Sequence, residues 1–225
     1  MKLTLREKLV LLFHHELKDR FNLNDYRFKT TFAGAMLFEL LEMKRLDIVD
    51  GKLVTLADSK GLSKDLKKVY KKVQAKDKPK KVCYWVAKFS ENSEKYRKYI
   101  LKKMSSEGLL TIEKKKYFFF FEKEITHLLR TDLRDQIVNE LRAVLMEEKR
   151  PNYNEMALIC LIDAADVYRL ISNVRGECPK MRRKFKALVG EEAAGQGVTE
   201  ALEMVQSAIF DSLVENNDSA SCEAE

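Results

Sequence analysis

The stretch FAGAMLFELL, residues 32–41, decides the fold of this chain. Only Gly34 and Glu39 within it are not apolar, and a helix that is apolar on nearly every side is typical of a buried, central element. We therefore predict a core helix over Arg27–Lys44. Because glycine weakens a helix interior, Gly34 indicates either a close backbone contact or a ligand beside it.

Clear local signals flank this helix on both sides. Toward the N-terminus, Thr4 and Glu7 have the spacing of a capping box, and apolar residues at helical spacing follow them. Toward the C-terminus, Asp50-Gly51 separates two short apolar segments. This pair favours a two-residue hairpin because it tolerates the positive φ angles of the turn.

Helices dominate the rest of the chain, because only 8 glycines and 3 prolines interrupt its 225 residues. Between Lys60 and Lys81, ten lysines accompany a helical apolar spacing, which predicts a docked helix with a lysine-covered outer face and a loop at 77–79. Further helices are predicted over 82–89, 94–106, 131–150, 154–162, 164–174 and 179–189, and from 198 onward. The predicted fold class is mainly α: a single-domain helical bundle, residues 1–215, with two short β-hairpins and a disordered acidic tail, residues 216–225.

The second hairpin carries four consecutive phenylalanines. We predict strands over Leu109–Glu113 and Tyr117–Phe121, with a turn at Lys114–Lys116. Successive side chains of a strand point to opposite faces, so the four rings cannot all face one core. We interpret them as a membrane-inserting or self-associating element, since exposed aromatic patches usually have a partner; alternatively, some rings fill the core and a loop covers the others. The four rings are Phe118, Phe119, Phe120 and Phe121.

Residues that could carry chemistry are sparse. Four cysteines lie far apart and share no metal-ligand spacing with the three histidines, so we expect neither a metal nor another cofactor. Asp163 and Asp166 lack a nucleophile or phosphate loop; we expect Asp163 to cap the next helix and Asp166 to make a buried polar contact. No apolar run is long enough to span a bilayer, and the first residues show no signal peptide. These features favour a binding protein over an enzyme.

The charge is unevenly distributed along the chain. Residues 191–225 hold nine acidic side chains and no lysine or arginine, whereas residues 1–190 hold 42 basic against 26 acidic side chains. A positive field of this size attracts polyanions such as an anionic membrane surface or nucleic acid. Lysines that only maintain solubility would give the same composition.

Several short segments, in a consistent order and spacing, resemble a known family. They are Leu3–Glu7, Gly34–Leu40, Arg45-Leu46, Trp85 with Ser90, Glu107–Lys114, Phe118–Phe121 and Leu158–Val167. Their order over Leu3 to Val189 is similar to that of the Golgi phosphoprotein 3 family of peripheral membrane proteins. The resemblance implies a mainly α-helical domain that binds phosphatidylinositol 4-phosphate on the cytosolic face of a membrane. In eukaryotic members it also implies a Golgi location and the holding of membrane-protein tails.

The resemblance also implies a headgroup site. Arg97 falls where the family has a phosphate-binding arginine, while Glu94 and Ala33 stand where it has two others. Arg97 is therefore interpreted either as a phosphate ligand or as an i,i+3 partner of Glu94. The expected ligand is an anionic membrane lipid whose identity is not fixed. The predicted shelf for it consists of Arg97, Lys98, Lys95, Lys29 and Tyr26.

Two alternatives come from other functional classes. Arg97, Lys98 and the lysines at 102 and 103, followed by a hairpin with Lys114–Lys116 at its tip, imitate a DNA-bound winged helix. The preceding segment lacks helix-turn-helix spacing, so we expect no nucleic acid partner. The other alternative is a protein-interaction scaffold that uses the phenylalanine hairpin to form a homo-oligomer.

Overall fold

The residues described in the computed structural model are 2–14, 25–117, 121–147, 149–193 and 197–222. These residues are mainly helical, with two small antiparallel sheets, as predicted. The helices are Leu5–Phe13 (α1), Asp25–Glu42 (α2), Lys64–Gln74 (α3), Val82–Glu91 (α4), Ser93–Ser106 (α5), Thr131–Met146 (α6), Tyr153–Ala164 (α7), Cys178–Ala193 (α8) and Gly197–Cys222 (α9). The strands are Leu46–Val49 (β1), Lys52–Thr55 (β2), Lys80–Lys81 (β3), Leu110–Tyr117 (β4) and Phe121–Leu128 (β5).

Helix α2 lies at the centre of the core. It packs against α1, α4, α5, α7 and α9, and every residue from 30 to 40 is buried. A Cβ atom added at Gly34 would lie 3.1 Å from Cδ2 of Leu161 in α7 and closer still to Ile209 in α9. The absence of a side chain therefore allows three helices to meet, and the prediction of a close contact at Gly34 is confirmed.

The local signals that flank α2 are confirmed as well. The Thr4 hydroxyl accepts a hydrogen bond from the Glu7 amide at 3.3 Å, while the Glu7 carboxylate accepts one from the Thr4 amide at 2.8 Å. Asp50 and Gly51 have φ angles of 50° and 69° and join β1 to β2. Strand β3 pairs with β2 as a third strand, which the predicted loop at 77–79 did not anticipate.

The predicted turn of the second hairpin is wrong. Lys114 and Lys115 do not form a tip: they pair with Glu124 and Lys123 across the ladder, which continues to Tyr117 opposite Phe121. A run of lysines suits a solvent-exposed strand as well as a turn, so charge alone did not locate the reversal. Residues 118–120 connect the strands and lie outside the described residues.

The predicted helix over 164–174 is also wrong. Helix α7 ends at Ala164 because Asp166 adopts a φ of +52°, and the Val167 amide donates back to the Ile162 carbonyl at 3.0 Å, the bond of a Schellman-type helix end. Two 3₁₀ turns, 168–170 and 175–177, follow. Asp163 caps no helix, since it accepts hydrogen bonds from Tyr168 and Gln206.

The last helix extends further than its apolar pattern indicated. Its backbone continues through Cys222, into the acidic segment predicted to be a tail, and residues 223–225 lie outside the described residues. The division into a domain of residues 1–215 and a tail of residues 216–225 stays a prediction.

Candidate functional site

The predicted headgroup shelf lies where the first turns of α2 and α5 meet. The Arg97 guanidinium lies 5.5 Å from the ring centre of Phe28, and its Nη2 lies 2.6 Å from Glu94 Oε2. Its Nη1 lies 3.8 Å from Asp25 Oδ1. The arginine side chain is only 21% exposed, so it is held between an aromatic ring and two carboxylates.

The same two carboxylates engage the neighbouring lysines. Lys29 forms an ion pair with Asp25, and Lys98 Nζ lies 3.8 Å from Glu94 Oε1. The structure therefore brings Arg97, Lys29 and Lys98 together, but with acidic partners that offset their charge. Arg97 thus forms an i,i+3 ion pair with Glu94. A phosphate ligand of Arg97 would have to compete with this carboxylate.

The other two shelf residues lie apart from this cluster. The Tyr26 hydroxyl donates to the Ser212 carbonyl in α9 at 2.9 Å, so its polar end is engaged with α9. Lys95 lines a cleft between α3 and α5, to which Lys98 also contributes.

The cleft between α3 and α5, which we call the lysine cleft, is a basic feature whose cations are less neutralised than those of the shelf. Its volume is about 240 Å³. Of its lysines, only Lys98 has an acidic partner among the described residues. The cleft is lined by Lys64, Lys68, Lys95, Lys98, Lys102, Tyr96, Tyr99 and Asp65.

The amphipathic pattern of α3 produces one wall of this cleft. Leu66, Val69, Tyr70 and Val73 are buried on one face, so the lysines between them face outward. Three further exposed lysines extend this outer face beyond the cleft, and none has an acidic partner among the described residues. They are Lys67, Lys71 and Lys72.

The aspartate in the cleft does not neutralise its lysines. Asp65 is 3% exposed and forms an ion pair with the buried Arg6 of α1. Arg6 Nε also donates to Glu39 of α2 at 2.9 Å. The cluster fixes α3 against α1 and α2, because a buried carboxylate requires a charged or hydrogen-bonding partner. The lysine cleft thus keeps its positive charge.

The phenylalanine hairpin lies partly outside the described residues. Phe121 pairs through its backbone with Tyr117, and nothing is described of the four phenylalanine side chains. Nearer the body, His127 Nε2 lies 3.2 Å from Glu113 Oε2. The assignment of the hairpin to membrane insertion or self-association stays a prediction.

Asp166 and its surroundings differ from the expectation. Its carboxylate is exposed and forms an ion pair with Arg182 of α8, so the predicted buried contact is wrong. Burial, together with the Asp163 carboxylate, raises the pKa of Tyr168 well above its usual range. Asp166 and Tyr168 also line a basic cleft together with Arg182, Arg183 and Lys186. This cleft was not predicted from the sequence, although the run of these three cations was a visible signal.

The described residues form neither a metal site nor a membrane span. They contain no group of three or more His, Cys, Asp or Glu side chains placed to hold a metal ion. Within the same part of the chain, no helix combines the length and apolar character needed to cross a membrane.

Comparison with known proteins gives one informative match. A family model described as Golgi phosphoprotein 3 (GPP34) matches residues 5–205. A comparison with curated proteins gives no match. The matched range contains α1 to α8, both sheets and the lysine cleft.

Proposed function

Because the chain belongs to the Golgi phosphoprotein 3 family, we propose that it is a non-enzymatic peripheral membrane protein that binds anionic phospholipid headgroups. The proposed location is the cytosolic face of a membrane, which would be the Golgi in a eukaryotic cell. The observation that carries the proposal is the lysine cleft. Four of its five lysines have no acidic partner among the described residues.

The charge of this surface fits a membrane better than a single small ligand. Each lysine near an anionic bilayer contributes about 1 kcal/mol, and this attraction falls off within a Debye length. Lys64, Lys68, Lys95 and Lys102 together would therefore contribute about 4 kcal/mol. Lysine ammonium groups on flexible stems suit a surface of many mobile headgroups.

The predicted shelf continues this surface toward α2. Lys98 lines the lysine cleft and also approaches Glu94, which in turn holds Arg97. In our proposal a headgroup attracted by the cleft reaches Arg97 by displacing Glu94, with Lys29 nearby. Tyr26 would contribute to the shelf through its ring, since its hydroxyl is engaged with α9.

A stable membrane anchor requires a second contribution besides charge. We assign it to Phe118–Phe121, as a bilayer-inserting or self-associating element. The rings of four consecutive residues in a strand cannot all face the protein core, because successive side chains point to opposite faces. Membrane-protein tails are the further partners that family membership suggests.

The nucleic-acid alternative loses one of its two supports. It required Lys114–Lys116 at the tip of a wing, whereas Lys114 and Lys115 pair within the ladder. The basic helix face remains, so the experiment must separate the two polyanions.

Co-flotation of the full chain with vesicles tests the proposal. We expect binding to phosphatidylserine vesicles and to vesicles with phosphatidylinositol 4-phosphate at matched charge, no binding to phosphatidylcholine, and weaker binding as salt rises. Stronger binding to phosphatidylinositol 4-phosphate would indicate a selective shelf. Absence of flotation with both anionic vesicles, together with retention on duplex DNA, would contradict the proposal in favour of the nucleic-acid alternative.

A further inference from the structure

A second basic cleft lies between the 3₁₀ turn at 168–170 and helix α8. Its volume is about 500 Å³, and we call it the arginine cleft. It is formed where α7 ends, because the left-handed conformation of Asp166 turns the chain toward α8. The residues that determine its character are Asp166, Tyr168, Arg169, Arg182, Arg183 and Lys186.

One wall of the arginine cleft is held rigidly. The Arg182 guanidinium forms an ion pair with Asp166, lies 3.8 Å from Asp163 through Nε and packs 5.4 Å from the ring centre of Tyr168. The Tyr168 hydroxyl donates to the same Asp163 at 2.9 Å. Three contacts therefore fix the orientation of this guanidinium, and the two aspartates offset its charge, so Arg182 forms the wall of the cleft and is not its phosphate ligand.

The remaining cations of the cleft differ from Arg182. Arg169, Arg183 and Lys186 have no acidic partner among the described residues. The cleft also contains the first turn of α8, at Cys178, where the partial positive charge of a helix N-terminus adds to the field. Glu177, just before this turn, is occupied by Arg142, at 2.7 and 3.1 Å.

We propose that the arginine cleft binds a phosphate monoester group, held by Arg169 and Arg183 with Lys186 supplying further charge. A guanidinium donates two parallel hydrogen bonds to phosphate oxygens, and two arginines on facing elements can hold one dianion. The shared chemistry covers a lipid phosphomonoester headgroup and a soluble phosphate. This site is separate from the lysine cleft and does not depend on membrane binding.

Arginine side-chain NMR of the full chain tests the proposal with inorganic phosphate as the probe. At constant ionic strength, the Nε–Hε signals of Arg169 and Arg183 should shift and saturate. Because a charge-assisted hydrogen bond contributes about 1.5–3 kcal/mol, Arg183→Gln should weaken phosphate binding about 10-fold or more. Arg150→Gln, an exposed arginine outside the cleft, serves as the matched control and should leave the affinity unchanged.

Two further arms identify the source of the phosphate. Saturation by phosphatidic acid vesicles but not by glycerol 3-phosphate would support the site with a lipid ligand, and the reverse result would support it with a soluble ligand. Shifts that grow linearly with phosphate, or an affinity equal in wild type and Arg183→Gln, would overturn the proposal. Because Arg183 is exposed, its replacement should leave the melting temperature unchanged, which separates lost binding from lost folding.

Discussion

The two basic clefts of this protein differ in how their cations are held. In the lysine cleft, ammonium groups project from α3 and α5 on flexible stems, and the one carboxylate in the wall is committed to the buried Arg6. In the arginine cleft, a guanidinium is fixed between two aspartates and a tyrosine ring. That arginine, Arg182, forms the wall of the cleft. Flexible point charges suit a surface of mobile headgroups, whereas the planar guanidinium groups of Arg169 and Arg183 suit one phosphate bound through paired hydrogen bonds.

The Arg97 shelf lies between these extremes. It has an oriented guanidinium, but Glu94 lies 2.6 Å from its Nη2 and Asp25, 3.8 Å from its Nη1, adds a second negative charge. Positive charge in the sequence therefore does not by itself identify a binding site. What distinguishes the two clefts from the shelf is that each contains several cations with no acidic partner among the described residues.

The largest effect is expected from reversing the charge of the lysine cleft. Lys64→Glu, Lys68→Glu and Lys102→Glu together should weaken binding to phosphatidylserine vesicles at least about 100-fold, at about 1 kcal/mol for each lost lysine. The control carries the same change in net charge at exposed cations elsewhere, as Lys2→Glu, Arg150→Glu and Lys180→Glu. Equal losses in the two triple variants, measured by co-flotation, would mean that net charge alone drives binding.

Exchanging the two kinds of cation sharpens the comparison. Arg183→Lys should weaken phosphate binding by about 10-fold, because an ammonium group cannot reproduce the bidentate geometry. Lys68→Arg should leave vesicle binding nearly unchanged, since only its charge is used. Phosphate titration and co-flotation of both variants check this pair, and a phosphate affinity retained by Arg183→Lys would remove the distinction between the clefts.

The support beneath the arginine cleft gives a pH-dependent prediction. Hydrogen bonds from Arg142 lower the pKa of Glu177 from 4.5 to about 2, so the pair stabilises the fold above pH 4.5 and loses this contribution as the pH falls toward 2. Glu177→Gln should therefore lower the melting temperature by a few degrees at pH 7. The difference from wild type should shrink between pH 4.5 and 2, and a difference independent of pH would contradict the ion-pair explanation.

The smallest effect is expected at the shelf. Arg97→Gln should reduce vesicle binding only about 3-fold, because a partly exposed ion pair leaves little net charge for the bilayer. Glu94→Gln should increase binding by a similar factor, since it releases Arg97 and Lys98 from their partner. Flotation of both variants checks the sign, and reduced binding by Glu94→Gln would show that this carboxylate organises the shelf.

Sequence patterns predicted the parts of the fold that depend on local chemistry. FAGAMLFELL identified the central helix, and Asp50-Gly51 identified the first hairpin, because apolar periodicity and positive φ angles are encoded within a few residues. The helix predicted over 164–174 was wrong, since Asp166, a non-glycine residue, adopts the left-handed conformation there. The lysines at 114 and 115 were assigned to a turn because exposed strands and turns are equally polar.

The site depended on contacts that no short pattern contains. The charge of Arg97 is neutralised partly by Asp25 from another helix. The charge of Asp65, in the wall of the lysine cleft, is neutralised by Arg6, 59 residues away in the sequence. The cleft itself exists because α3 lies beside α5. Such pairings are set by tertiary packing, so the sequence revealed the supply of cations but not which of them stay unpaired.

The most direct test of the account is the orientation of the protein on a vesicle. A fluorophore is attached at Lys71→Cys on α3 or at Asn139→Cys on α6, after Cys83, Cys178 and Cys222 are replaced by serine; Cys160 is buried. On phosphatidylserine vesicles with spin-labelled headgroups, strong quenching is predicted at position 71 and weak quenching at position 139. Equal quenching at both positions, or stronger quenching at 139, would contradict membrane binding through the lysine cleft.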